Sequence, residues 1–251
     1  NPNTMTTPRE TIEADVVIVG AGPAGLACAL RLAQLCMNSK RTEAAISINP
    51  ENIYVLEKAA EIGGHSLSGA VIDPCSLAEL IPNFLKAGAP LTAVSKDSLH
   101  YFTSNRNFQF PIIPPFLRNR GNYVTSLNRL VKWLGHKSEQ AGINLFAGFS
   151  ATELLVEDGR VVGVRTDDKG IDRNGNPKSN FQSGCNLRAK VVVLAEGVRG
   201  SLTKQLINQF DLETGKNPQT YAIGVKELWE ISPGRLKAGE VVHTTGWPLS
   251  N

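Results

Sequence analysis

The chain has no Cys-x-x-Cys pair: its four cysteines, Cys28, Cys36, Cys75 and Cys185, stand at other spacings. The common thiol metal and redox sites are thereby excluded, so no metal and no iron–sulfur cluster is expected in this chain. Free thiols in a reducing compartment are the expectation, with Cys28 and Cys36 as core residues of one helix. No apolar run approaches the ~20 residues that span a bilayer, and no signal-peptide pattern is present. Neither sign of charge dominates: 26 Lys and Arg against 23 Asp and Glu leave a net +3. Without a dense Lys/Arg run or an aromatic–basic platform, nucleic acid is not an expected partner. Internal repeats and low-complexity tracts are missing too. The chain opens on Asn1 rather than Met, as a mature or trimmed form would.

What is present is ordinary globular material. The 251 residues are 41% hydrophobic and 20% charged, enough for one core or two interleaved ones. Residues 1–13 are polar and read as a disordered lead. Ala14–Val19 is a short β-branched run of the kind that forms a central parallel strand. Leu26, Ala29, Leu30, Ala33 and Met37 recur at helical spacing, a polar stretch covers 38–50, and Ile53–Leu56 forms a second buried strand ending at Glu57. That is one βαβ unit. Further on, a short helix is predicted at Leu77–Leu85 and a helix over 124–141, ended by Gly142. A β-rich stretch spans Asn144–Val164, with Glu157–Arg160 as a hairpin turn. Asn174-Gly175 marks a second tip, Ala189–Leu194 a buried strand, and Ser201–Phe210 a helix. The tail, 221–251, carries alternating short strand signals.

The chemistry-bearing residues follow the strands. Gly20-x-Gly22-x-x-Gly25 ends a strand and opens a helix, the context that gives this pattern meaning. Gly20 permits a tight turn, Gly22 lets the backbone approach a pyrophosphate, and Gly25 lets helix pack on strand. Ala24 lies in the same turn, and Pro23 suits a first helical position. The helix N-terminus offers N–H groups to phosphates. Glu57 at the next strand end is placed to accept from ribose hydroxyls, and its charge disfavours a 2′-phosphate; Lys58 adjoins it. In Gly63-Gly64-His65 the glycines allow close backbone approach, while His65 either stands near a ligand or hydrogen-bonds within its own loop. Ala195-Glu196-Gly197 follows a strand and precedes a helix. Together with the first motif it resembles the second fingerprint of FAD enzymes of the glutathione reductase and hydroxylase type, many of which carry Asp at the Glu196 position. The stretch 107–117 holds Pro111, Pro114 and Pro115, which forbid a regular helix. It also holds six large apolar side chains: Phe108, Phe110, Ile112, Ile113, Phe116 and Leu117. With Arg106, Arg118 and Arg120 around it, it either packs over its own core or dips into a membrane interface. His100, His136 and His243 are scattered and read as structural, and no nucleophile–base pair is evident. A flavin needs none, because the cofactor carries the electrons.

Several longer segments resemble the electron transfer flavoprotein–ubiquinone oxidoreductases. They are Ala14–Leu35, Val55–Lys58 through Leu67–Ala70, Lys86–Leu91, Gly121–Val124 with Trp133–Gly135, Leu194–Gly197, Pro218–Trp229 and His243–Leu249. The resemblance implies an α/β fold: a Rossmann-type FAD-binding domain of the glutathione reductase type over 14–70 and 121–210. A partial, β-rich quinone- and membrane-associated domain is interleaved at 71–120 and 211–251. It implies FAD as cofactor, with electron transfer flavoprotein and ubiquinone as partners. The location implied is the matrix side of the mitochondrial inner membrane, attached by a monotopic surface loop where Phe108–Leu117 falls. It also implies a [4Fe–4S] cluster whose ligands are absent from this chain, in members about twice this length or more. The chain therefore reads as an N-terminal fragment that does not turn over electron transfer flavoprotein by itself. Two other readings stand beside it: another FAD enzyme of the same superfamily, such as a prenyl reductase or hydroxylase, and an inactive folded fragment.

Overall fold

The computed structural model describes residues 9–39, 48–67 and 69–248. In chain order the elements are β1 (Thr11–Val19), α1 (Pro23–Ser39), β2 (Ile53–Glu57), β3 (Ala70–Ile72), α2 (Cys75–Leu80), β4 (Leu91–Ala93), β5 (Lys96–Phe102) and β6 (Asn107–Gln109). There follow β7 (Tyr123–Thr125), α3 (Leu127–Gln140), β8 (Asn144–Ala147), β9 (Ala151–Glu157), β10 (Arg160–Thr166), β11 (Lys169–Ile171), β12 (Pro177–Gln182), β13 (Asn186–Leu194), α4 (Ser201–Phe210) and β14 (Glu240–Gly246). Contacts divide the chain into two units, 1–66 with 131–223, and 67–130 with 224–251.

The first unit is built on a six-stranded sheet in the order β8-β2-β1-β13-β10-β9. β8, β2, β1 and β13 run parallel, and β10 and β9 are added antiparallel. Val16, Val17 and Ile18 are wholly buried at its centre, which is why β1 reads as an uninterrupted β-branched run. Leu26, Ala29, Leu30 and Ala33 bury the inner face of α1, and Cys36 completes it. Met37, expected on that face, is exposed instead, because 3.6 residues per turn bring position 36 round to the core. The strand order reverses beside β1, between β2 and β13. In a sheet of this kind ligands bind at the carboxyl ends of the strands at that switch point.

The second unit holds two small sheets, β3-β7-β4 and β14-β5-β6. β6 lies at an edge and stops before Pro111, as a chain with missing donors must.

Several expectations shift. β1 starts at Thr11, inside the stretch expected as a disordered lead; residues 1–8 lie outside the described residues, as do 40–47 of the polar stretch, Ser68 and Leu249. The helix expected from 124 starts at Leu127, because Tyr123–Thr125 pairs with both β3 and β4. The helix placed at Leu77–Leu85 is α2, which ends at Leu80 and passes into turns. Val191 in β13 is half exposed rather than buried. Among the described residues of the tail, only β14 is regular; 217–232 pairs with no described strand edge, and a strand needs one.

Candidate functional site

A cavity of about 660 Å³ opens at the carboxyl ends of β1, β2 and β13. Gly20, Gly22, Pro23, Ala24, Glu57, Lys58, Gly63, His65, Ala195, Glu196 and Gly197 all line it. The three glycines of the first turn do different work. A Cβ on Gly20, whose φ is +105°, would lie 2.4 Å from the Ala195 carbonyl oxygen, and one on Gly25 would lie 1.9 Å from the Gly20 oxygen. Those two glycines close the fold, and Gly25 does not line the cavity. A Cβ on Gly22 would meet nothing within 4 Å, so its bareness leaves room in the cavity itself. Gly64 also stays out of the lining; it packs against Ala59 and Glu61 within its turn.

Glu57 ties this turn to β2. Its Oε2 accepts from the Ala21 amide at 3.1 Å and its Oε1 from the Ala59 amide at 2.8 Å. Each carboxylate oxygen has two lone-pair directions, so each keeps one for a ligand hydroxyl. α1 begins with the Leu26 amide donating to the Gly22 oxygen. By helix position, the Ala24 and Gly25 amides then have no intrahelical acceptor, and no acidic residue stands in that first turn.

The second helix N-terminus at the cavity is already filled. Glu196 Oε2 accepts from the Thr203 amide at 2.7 Å and from Thr203 Oγ1 at 2.9 Å; its Oε1 accepts from the Leu202 amide at 3.2 Å. A Cβ on Gly200 would lie 2.6 Å from that carboxylate, so Gly200 makes room for the bend. The sequence marks Glu196 as a cofactor contact; the fold places it at the cavity wall with its charge committed to α4.

Sequence reasoning missed Phe149, Ser150 and Ala151, which also line the cavity. They follow β8, whose register sets Ala147 beside Glu57. Arg199 and Ser201 line it too. The signal available for all of them was their place just after a strand of a parallel sheet.

A family model described as NAD(P)-binding Rossmann-like domain matches residues 18–93, and one described as ETF-QO, ubiquinone-binding matches 221–251. The probable electron transfer flavoprotein-ubiquinone oxidoreductase of Acinetobacter baylyi is 45% identical over 98% of this chain and 43% of its own length. The mitochondrial enzymes so named from Dictyostelium discoideum and Bos taurus are 44% and 46% identical, over 97% and 94% of this chain and 39% and 38% of theirs. Over nearly its whole length the chain is thus similar to part of proteins named electron transfer flavoprotein-ubiquinone oxidoreductase. It spans about two fifths of the length of these relatives. Among solved structures, THI4 of Thermovibrio ammonificans has a TM-score of 0.49 at 19% identity, covering 79% of this chain and 62% of that one.

Within the segment matched by the ubiquinone-binding model, Ile223, Val225, Leu228 and Trp229 are exposed. In the second unit, Phe108, Phe110, Ile112 and Phe116 are exposed, while Ile113 and Leu117 are half-buried. Four of the loop's six apolar side chains are thus left exposed by the described residues. His243 Nε2 lies 3.3 Å from Asn119 Nδ2 and 3.8 Å from Asp97 Oδ1 in the same unit, and His100 Nδ1 lies 2.9 Å from Asn107 Oδ1. No helix among the described residues is long and apolar enough to cross a membrane.

Proposed function

We propose that this chain forms the FAD-binding part, and a portion of the quinone-binding part, of an enzyme that passes electrons from electron transfer flavoprotein to ubiquinone. One observation carries the reading: a single cavity joins the Gly20–Ala24 turn and Glu57 to the Ala195–Ser201 turn. The first half of that cavity fits an adenosine diphosphate, a group that NAD and FAD share. The Ala24 amide receives the pyrophosphate, Gly22 clears its approach, and the two remaining lone pairs of Glu57 accept from the ribose hydroxyls. The Ala195–Gly197 turn, which resembles the second fingerprint of FAD enzymes, favours FAD over NAD for the remainder. When bound, FAD supplies the redox chemistry. The chain's own task is to hold it, with Gly63, His65, Phe149 and Ser150 forming the walls beyond the ribose.

The exposed Phe108–Leu117 loop supports attachment to a membrane surface, because an apolar, proline-stiffened turn beside cations fits an interface. The matrix face of the mitochondrial inner membrane belongs to the same proposal, supported by the mitochondrial relatives. So does the [4Fe–4S] cluster, with ligands outside this chain. Titration with FAD, FMN and NAD, read by flavin fluorescence and calorimetry, tests the core of the reading. FAD should bind, ADP should displace it, and FMN, which lacks the adenosine, should bind weakly. Equal binding of FMN and FAD would remove the adenosine role from this cavity.

A further inference from the structure

The second unit carries a cavity of its own, formed by the start of β5 and the 111–120 turn. Pro111, Ile112 and Ile113 form an apolar wall, and Lys96, Arg118 and Arg120 bring three cations to it. Asp97 also lines it, but its charge is turned inward. Asp97 Oδ2 accepts from the Asn119 amide at 2.8 Å and its Oδ1 from Asn119 Nδ2 at 2.7 Å. Among the described residues, none of the three cations has a carboxylate within ion-pair distance. Arg118 is nevertheless held in place: its Nε donates to the Ile113 oxygen at 3.0 Å. That uses one of its five donors and leaves four in a planar fork suited to phosphate oxygens. The backbone of the turn is closed by Leu117 and Arg118 amides donating to the Pro114 and Pro115 oxygens. The same turn exposes Ile112 by 73% and Phe116 by 84%.

Uncompensated cations beside exposed apolar side chains on a braced turn meet two demands at once. Apolar groups gain by entering an acyl layer, and Lys or Arg at its rim gain from anionic headgroups. We propose that this cavity seats the phosphate of an anionic phospholipid, with Arg118, Arg120 and Lys96 as donors and with Ile112 and Phe116 among the acyl chains. The proposal rests on the membrane reading of the loop and adds to it a headgroup class and a site.

Flotation of the 251-residue chain with two kinds of vesicle tests it: phosphatidylcholine alone, and phosphatidylcholine containing phosphatidylglycerol. The chain should partition preferentially to the anionic vesicles, and Arg118→Gln with Arg120→Gln should cut that partition by about 25-fold, near fivefold for each cation. The neutral-vesicle arm should not change, and circular dichroism of the variant should match the parent. Ile112→Ser with Phe116→Ser should lower partition to both kinds of vesicle. Equal partition of the unaltered chain to neutral and anionic vesicles would overturn the headgroup site and leave the loop reading standing. Failure to partition to either would overturn both. A double arginine variant that still prefers anionic vesicles like the parent also overturns it. Tight binding of inorganic phosphate without vesicles, lost in the same variant, would make this a free-phosphate site and overturn the lipid assignment.

Discussion

The Glu57 carboxylate holds the Ala21 amide at 3.1 Å, locking the turn after β1 to the end of β2 across 36 residues of chain. The other oxygen holds Ala59, so the carboxylate is aimed before any ligand arrives. Pre-aimed acceptors lose little freedom on binding. Glu57→Ala should therefore weaken FAD binding by about 10- to 100-fold, the loss of one or two charge-assisted hydrogen bonds. Glu57→Gln should fall between, since it keeps one acceptor oxygen. Fluorescence titration reads both, and unaltered affinity in Glu57→Ala would remove the ribose role.

Gly22 and Gly25 should respond in opposite ways to the same added methyl. Alanine at 22 meets nothing within 4 Å, so thermal stability should hold while dinucleotide affinity falls. Alanine at 25 drives a Cβ into the Gly20 carbonyl, which should cost about 1–3 kcal/mol of stability as overpacking does. Thermal melts without ligand, set beside binding titrations, separate the two effects. A Gly22→Ala chain that melts early would place that glycine in the fold rather than in the cavity.

Glu196 should behave as a helix cap. It serves the second and third amides of α4, and losing such a cap costs about 1–2 kcal/mol. Glu196→Ala should lower stability by that amount, and Gly200→Ala should do so too by crowding the same carboxylate. The double variant should lose less than the two losses combined, because both changes break one contact. Urea unfolding of the four chains measures this, and strict additivity would separate the two residues.

The parallel half of the sheet is legible because its strands are short β-branched runs stopped by residues with a reason to stop them: Gly20 after Val19, Glu57 after Leu56. β7 is not, since Tyr123, Val124 and Thr125 run into the helical face of Leu127 and Leu130 and no period separates three residues from fourteen. The Gly20–Glu57 wall of the cavity is likewise written in motifs. The Phe149–Ala151 wall depends on the register of β8 against β2, a non-local fact. The capping role of Glu196 depends on Gly200 lacking a Cβ, and a linear pattern shows the glycine without showing what bends over it.

Asp15 gives the fold a defined acid dependence. It is buried in β1, paired with Lys190 and accepting from the Asn49 amide at 3.0 Å. The Lys190 contact first, and then the Asn49 amide, hold its carboxyl below the usual range against the opposing effect of burial. Asp168 is lowered in the same way by Arg9 and then the Gly184 amide. A carboxyl lowered on folding stabilises the protein above its unfolded value, about 3.9. That contribution is lost as the pH falls through the lowered folded value. Stability should therefore stay level from neutral pH to about 5 and decline below about 4. Asp15→Asn should be less stable at neutral pH by about 1–3 kcal/mol, leaving Lys190 and the Asn49 amide with a poorer acceptor. Its stability curve should converge on that of the parent as both are acidified, because protonation removes from the parent what the substitution has already removed. Urea unfolding across a pH series reads this directly, and curves that stay parallel below pH 4 would show that Asp15 is not the linked group.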